Sequence, residues 1–411
     1  MKKIFKLMIV ALVAMCGFAS CSEDCNHDYI EHDYTKDLVG TWSIIGPDCV
    51  EAVVIKEDRT MHFTMVDGTE LYESIARYEV VNNHMKVIWD DGTIDEGRLD
   101  VVNGGSFSIT FDEETGAGYY FAYCYEDLSD KMVGSWLLQT DETSEIHSYY
   151  ADGTADCRAY YYHLGEQYET LITGTYKVIG DILFETMEYG EGISYSFGSR
   201  ISYTPDGSPF GDVMKSESLS MNGDELEENV GEVVRVNPSL DLAGKQYDYK
   251  ETLVTNVKGE DMDVSFMGYT MNFAKMDGSE LDKLLRTLLF HIEFPDASTL
   301  HYTYQQNNGK ETFDVPVEVE DNKVTVKMSA KVPTLKDVVF YAFQNVDCNQ
   351  MHLCMDKVAF VNFHANMQAM LMEATDEQFD ITDAETVNAI YNHIDRAVET
   401  IKVTLVMETG K

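Results

Sequence analysis

An internal repeat constrains this chain more than any other feature of its sequence. Residues 38–42 read LVGTW and residues 132–136 read MVGSW, an offset of 94. Further along, residues 78–80 (YEV) recur as residues 176–178 (YKV), an offset of 98. Two matches at similar offsets predict two copies of one structural unit. A weaker third opening, residues 242–247 (LAGKQY), has a tyrosine near the tryptophan position.

Each unit has the pattern of short strands joined by tight turns. Asp-Gly pairs supply the positive φ angles that hairpin turns require. They stand at residues 67–68, 91–92, 152–153 and 206–207. Apolar and polar residues alternate between the turns, and many short alternating strands predict a meander that closes into a barrel. We therefore expect a mainly β fold, with small antiparallel barrels over residues 37–128 and 129–236.

The Gly-x-Trp openings resemble the first strand of the lipocalin-like (calycin) domains found in Bacteroidota lipoproteins. In that family the tryptophan plugs the closed end of the barrel, and the glycine lets the chain turn close to it. The resemblance implies these roles for Gly40, Trp42, Gly134 and Trp136.

The size of each unit limits what its interior can hold. Barrels built from about 95 residues have strands so short that their own side chains fill the interior. The residues expected to fill the first barrel are Met61, Phe63, Met85, Val87 and Trp89.

Residues 237–411 predict an α+β domain that differs from the two repeats. Leucines on one stripe predict a helix over residues 279–290. A second helix is expected over residues 383–400, with Thr382 as its N-cap and Glu385 completing a capping box. The alternative interpretation is a barrel of the same ancestry into which helices have been inserted.

The N-terminus predicts export from the cytoplasm. Residues 1–20 place three lysines before an apolar stretch and end on small residues, which is the order of a secretory signal peptide. Cys21 follows, and this ending resembles a bacterial lipobox in which the cysteine is acylated, with Phe18 where that family usually has leucine. An ordinary cleaved signal is the alternative.

The residues after Cys21 predict where the anchored protein lies. Ser22, Glu23 and Asp24 resemble the acidic surface-export signal of Bacteroidota lipoproteins. Residues 21–36 are polar and acidic and are expected to form a tether. The implied location is the cell outer membrane, with the protein lipid-anchored and exposed at the surface or facing the periplasm.

The charge of the chain excludes one class of partner. From Cys21 onward the chain keeps all 72 acidic residues and loses three lysines, so its formal net charge changes from −42 to −45. Nucleic-acid binding needs a basic surface. A chain with so large an excess of acidic residues is not expected to form one. No cysteine or acidic spacing predicts a metal site or a cofactor, and the membrane contact is expected through the lipid alone.

Two features indicate where a ligand would bind. Tyr160 and Tyr162 lie in a run of tyrosines, and alternate residues of a strand share one face, so these two would face outward together. The other feature is apolar side chains of the C-terminal region, Leu284, Leu288, Met367 and Met370, which would line an adaptable cavity. Barrel-wall packing for the tyrosines and core packing for the apolar group are the competing interpretations.

No sequence motif predicts an enzyme. Cys354 and His364 have no catalytic signature around them, and the glutamates 185, 188 and 191 form an acidic cluster typical of solvated loops. The sequence favours non-enzymatic binding of a small apolar molecule, a glycan or a protein. The alternatives are a structural accessory subunit of an outer-membrane complex and, more weakly, a hydrolase that uses the clustered carboxylates.

Replacing Cys21 with alanine tests the anchor. Cys21→Ala removes the cysteine that would carry the lipid, so labelled fatty acid should no longer be incorporated and the protein should leave the membrane fraction. Cys25→Ala is the matched control and should still be labelled. Labelling of Cys21→Ala at the native level would contradict the lipobox interpretation.

Overall fold

Three buried aromatic side chains mark the first strands of three closed, eight-stranded antiparallel barrels. They are Trp42, Trp136 and Tyr247, and each is 0% exposed. The sequence prediction of a mainly β fold with tandem small barrels is confirmed, and the C-terminal region is a third barrel decorated with helices.

The structure is a computed structural model. It describes residues 34–45, 49–102, 105–112, 117–140, 143–163, 166–222, 225–266, 269–275, 279, 282–283, 286, 289–306, 309–376 and 378–410. The predicted signal peptide, Cys21, the predicted export signal Ser22, Glu23 and Asp24, and nearly all of the predicted tether lie outside the described residues.

The first barrel follows a short helix, α1 (Thr35–Leu38). Its strands are β1 (Gly40–Ile45), β2 (Cys49–Ile55), β3 (Thr60–Asp67), β4 (Glu70–Val81), β5 (His84–Trp89), β6 (Ile94–Val102), β7 (Ser106–Asp112) and β8 (Ala117–Tyr123). The strands pair in sequence order, and β1 pairs with β8 through Trp42 opposite Tyr123, which closes the sheet.

Trp42 lies at one end of the first barrel's core. Its ring meets Phe107 edge-on at 4.7 Å, and its Nε1–H donates to the Leu38 carbonyl at 2.8 Å. Gly40 permits this arrangement, because a Cβ at that position would lie 2.6 Å from the Tyr123 ring. The helix α1, the glycine and the tryptophan therefore form one local unit at the start of the barrel.

Side chains fill the first barrel as expected. Met61, Phe63, Met85 and Val87 are buried, Trp89 packs partly buried against them, and the remaining void is about 10 Å³. That volume is close to the minimum that a single water needs. Glu51 also lines this void at 6% exposed, and burial raises the pKa of its carboxyl to about 7.

The second barrel follows helix α2 (Ser129–Met132). Its strands are β9 (Gly134–Gln139), β10 (Thr143–Tyr149), β11 (Thr154–His163), β12 (Glu166–Ile179), β13 (Ile182–Glu188), β14 (Ser194–Ser208), β15 (Gly211–Asn222) and β16 (Glu225–Val236). Pairing of β16 with β9 closes the sheet. Gly134 has a φ of +133°, a region that favours glycine, and Arg235 stacks over the Trp136 ring at 4.8 Å.

The third barrel interrupts its strand order with an inserted hairpin. Its strands are β17 (Lys245–Gly259), β20 (Leu289–Asp296), β21 (Thr299–Gln306), β22 (Gly309–Glu320), β23 (Lys323–Val326), β24 (Val338–Gln344), β25 (Gln350–Met355) and β26 (Val398–Thr409). Strands β18 (Asp263–Phe266) and β19 (Tyr269–Asn272) form a separate two-stranded sheet. A 3₁₀ turn covers Met328–Ala330, and the long pairing of β17 with β26 closes the barrel.

Two helices lie between β25 and β26. They are α3 (Lys357–Thr375) and α4 (Ala384–Ala397). Phe360 of α3 meets Phe273 edge-on at 5.7 Å, and the Tyr391 hydroxyl of α4 accepts from the Lys336 amide at 2.8 Å. Among the described residues, no helix is long and apolar enough to span a membrane.

The structure corrects the predicted ends of several elements. Helix α4 begins after Asp383, whose carboxylate accepts from the Glu385 amide at 3.1 Å, so Asp383 and not Thr382 is the N-cap. Leu289 and Phe290 belong to strand β20, and the predicted helix before them is seen as helical backbone at Ser279, Asp282, Lys283 and Arg286.

One predicted turn is also wrong. The pair Asp206–Gly207 lies inside β14, where Asp206 has a φ of +48° and its amide donates to Asp212 at 3.0 Å. The side chain of Asp212 stabilises the irregular backbone there, and the strand continues to Ser208.

The chain divides into two compact units. Among the described residues, the first unit lies within 34–132, 174–202 and 215–231, and the second lies within 133–173, 203–214 and 232–410.

Truncating Trp42 should destabilise the first barrel strongly. Trp42→Ala removes a fully buried ring and its hydrogen bond, so the free energy of unfolding should fall by about 3–5 kcal/mol. Urea denaturation followed by circular dichroism measures this. Tyr120→Ala, an exposed aromatic on β8 (62% exposed), is the control and should change stability by less than ~0.5 kcal/mol. An equal, small effect of both variants would contradict the assignment.

Glu51 should make stability depend on pH. Its pKa rises from 4.5 to about 7 on folding, so the folded state binds the proton more tightly and stability falls as pH increases from 4.5 to 7. The loss should reach about 3 kcal/mol. Glu51→Gln should lack this part of the pH profile, whereas the exposed Glu57→Gln should keep it. Identical profiles for the native protein and Glu51→Gln would contradict the burial of an ionisable carboxyl.

Candidate cleft beside the tyrosine hairpin

The hairpin β10–β11 presents two chemically different faces. Its register pairs Ser144 with Tyr160 and His147 with Cys157, and side chains alternate between the faces of a strand. Ile146 and Tyr160 pack with Tyr341 of the third barrel, so their face is the outer one. The residues that alternate with Ile146 and Tyr160 along the two strands, including His147 and Cys157, therefore lie on the inner face of the hairpin.

A cleft of about 280 Å³ lies between the outer face of this hairpin and the third barrel. The lining residues are Thr143, Ser144, Tyr160, Tyr161, Tyr162, Asn256, Tyr341, Cys354, Met355, Asp356, Thr400, Ile401 and Lys402. Pockets for drug-sized ligands span roughly 300–1,000 Å³, and this cleft lies just below that range, a size that suits one residue of a larger ligand.

Tyr160 forms the aromatic wall of the cleft. It is 3% exposed and its ring lies 4.4 Å from that of Tyr341, tilted by 32°. One set of tyrosines in this run was expected to be exposed, but the ring of Tyr160 is buried against the third barrel. Burial raises the pKa of the phenol to about 12, and the nearby Arg158 opposes that rise. Within the described residues, the Tyr160 hydroxyl has no hydrogen-bond partner of normal geometry.

Asp356 places a carboxylate in the same cleft. It caps helix α3, where its Oδ1 accepts from the Ala359 amide at 2.9 Å. Its Oδ2 accepts from Gln167 Nε2 at 2.7 Å. Burial raises the pKa of Asp356, and these hydrogen bonds oppose the rise. An aspartate between strand β25 and a helix N-terminus is held in one position, as recognition of a polar ligand requires.

Lys402 and Asn256 form the polar side of the cleft contributed by strands β26 and β17. The Lys402 ammonium donates to the Thr140 carbonyl at 2.5 Å and also to the Thr143 carbonyl. Asn256 has a φ of +51° at an irregular point of the β17–β26 ladder, and its carbonyl accepts from Thr400 at 3.0 Å. Bulges of this kind occur often beside functional sites.

The thiol of Cys354 is buried and protonated. It is 3% exposed, and burial raises its pKa, which keeps it protonated. Gln139 Nε2 donates to its sulfur at 3.0 Å. His364 is buried in α3 with its pKa lowered to about 3 by burial, and its ring contacts Phe360. A protonated thiol is a weak nucleophile, so the arrangement does not favour a cysteine–histidine pair.

The remaining candidates from the sequence fall elsewhere. Leu284 and Leu288 lie outside the described residues. Met367 is buried and Met370 half-buried, and both pack into the core of the third barrel. Tyr162 lines the cleft as a partly buried side chain.

The acidic cluster does not form a closed site. Glu185 is half-buried on β13, Glu188 is exposed at the end of that strand, and Glu191 is exposed in the turn that follows. They therefore lie along the end of one hairpin, on a surface open to water.

Sequence reasoning missed Asp356, Lys402 and Tyr341. Their positions depend on how the third barrel packs against β10–β11, and no local pattern contains that information. Asp356 had one usable signal, since an aspartate immediately before an apolar helical stretch is a typical N-cap.

No family model matches the chain, and no curated protein matches it either.

Proposed function

We propose that this chain is a non-enzymatic, lipid-anchored binding protein of the bacterial outer membrane. The ligand would be a small polyhydroxylated molecule, such as one sugar residue of a glycan. The observation that carries the proposal is a cleft of about 280 Å³ lined by three consecutive tyrosines, Tyr160, Tyr161 and Tyr162, beside Asp356 and Lys402.

The chemistry of the cleft supports a hydroxyl-rich ligand over a purely apolar one. Tyrosine rings offer flat apolar area with a polar edge, which suits the apolar face of a sugar ring. Asp356, Lys402 and Ser144 supply acceptors and donors around that area. Asp356 and Lys402 already hydrogen-bond to protein atoms, so they keep fixed positions from which their charges can also meet the hydroxyl groups of a ligand.

Location and absence of catalysis are part of the same proposal. The order of residues 1–20 and the resemblance around Cys21 support export and lipid anchoring. The protonated Cys354 and the dispersed glutamates 185, 188 and 191 support binding over hydrolysis.

Isothermal titration with neutral hexoses and N-acetylhexosamines tests the proposal. One of these sugars should bind the native protein, and Tyr160→Phe should weaken that binding by about threefold to tenfold, the equivalent of one hydrogen bond. Stability should stay unchanged in Tyr160→Phe, because the hydroxyl has no partner of normal geometry within the described part of the chain.

Two further variants and a control sharpen the result. Asp356→Asn keeps an N-cap residue for α3 but removes the charge, and Tyr162→Ala removes one wall; both should weaken binding. Tyr120→Phe, an exposed tyrosine of the first barrel, should bind like the native protein. Sugar binding that none of the three cleft variants alters, or no binding of any sugar tested, would overturn the proposal.

A further inference from the structure

We propose that the inner face of the β10–β11 hairpin is a zinc site formed by Glu145, His147 and Cys157. The site is separate from the cleft, since these residues occupy the opposite face of the same two strands. The strand pleat brings the three ligand atoms together. Glu145 and His147 are two residues apart on β10, and Cys157 lies directly opposite His147 on β11.

The three ligand atoms form a triangle of the right size for a metal ion. His147 Nε2 lies 3.2 Å from Glu145 Oε2 and 3.7 Å from Cys157 Sγ, and the sulfur lies 3.9 Å from the same carboxylate oxygen. A point about 2.1 Å from all three atoms lies within this triangle. Zinc bonds to nitrogen and oxygen are ~2.0–2.2 Å and to sulfur ~2.3 Å, so the spacing fits without moving the strands.

The types of ligand select among metals. A thiolate with an imidazole suits zinc, whereas calcium and magnesium prefer oxygen ligands alone. Within the described residues this group of three is the one set of His, Cys, Asp or Glu atoms close enough to hold an ion. With three protein ligands, one position of a tetrahedral zinc ion remains open to water.

The surroundings of the trio support metal binding in two ways. Thr143 Oγ1 donates to Glu145 Oε1 at 2.9 Å, which leaves Oε2 directed toward His147 and Cys157. Such outer contacts orient ligands in known metal sites. Glu145 and His147 side chains are each 24% exposed, so an ion can reach them, while Cys157 is 6% exposed.

Zinc titration of the full mature protein tests the site. Titration against a chromophoric chelator should give one Zn²⁺ per chain. Cys157→Ser and His147→Gln should each weaken zinc affinity by at least about tenfold, since even outer-contact changes cost 10–100-fold. Cys348→Ser and the exposed His84→Gln are matched controls and should bind zinc like the native protein.

Cobalt substitution provides a second readout, which reports directly on whether a cysteine sulfur binds the metal. Co²⁺ added to the native protein should give a thiolate-to-cobalt charge-transfer band, and this band should persist in Cys348→Ser and vanish in Cys157→Ser. The proposal is overturned if native protein takes up cobalt without that band, or if zinc affinity is the same in the native protein, Cys157→Ser and His147→Gln.

Discussion

The strand pleat, combined with closure of each sheet into a barrel, is the constraint on which the rest of this structure depends. In a closed antiparallel barrel every side chain of a strand faces either inward or outward, and a shift of one residue exchanges the two faces. Strands β10 and β11 show the consequence. Their register directs Tyr160 outward to the third barrel and directs His147 and Cys157 inward.

Local signals made much of the fold predictable. The Gly-x-Trp openings identified the first strands of two barrels. Gly40 and Gly134 have backbone angles that favour glycine, and the large rings of Trp42 and Trp136 are buried in a hydrophobic core. Element ends were less predictable. Asp383 caps α4 although Thr382 is also an acceptable cap, and Leu289 belongs to a strand although it continues a leucine stripe. The cap is decided by the bond from the Glu385 amide to Asp383, and Leu289 pairs with Tyr304 of the neighbouring strand.

The candidate sites could be predicted only in part, for a related reason. Tyr160 and Tyr162 stand out in the sequence, but Asp356 and Lys402 reach the cleft through packing between elements far apart in the chain. The zinc ligands were within reach of sequence reasoning. The turn at Asp152–Gly153 sets the hairpin register, and that register places Cys157 opposite His147. Both sites lie on strands of barrels, which hold side chains more firmly than loops do.

Both proposed sites therefore depend on the register of the β10–β11 hairpin. Cross-strand backbone NOEs in selectively labelled protein measure this register most directly. The account predicts contacts that pair His147 with Cys157 and Ser144 with Tyr160. Contacts that pair His147 with Asp156 or Arg158 instead would place the tyrosines and the metal ligands on the wrong faces and would contradict the account.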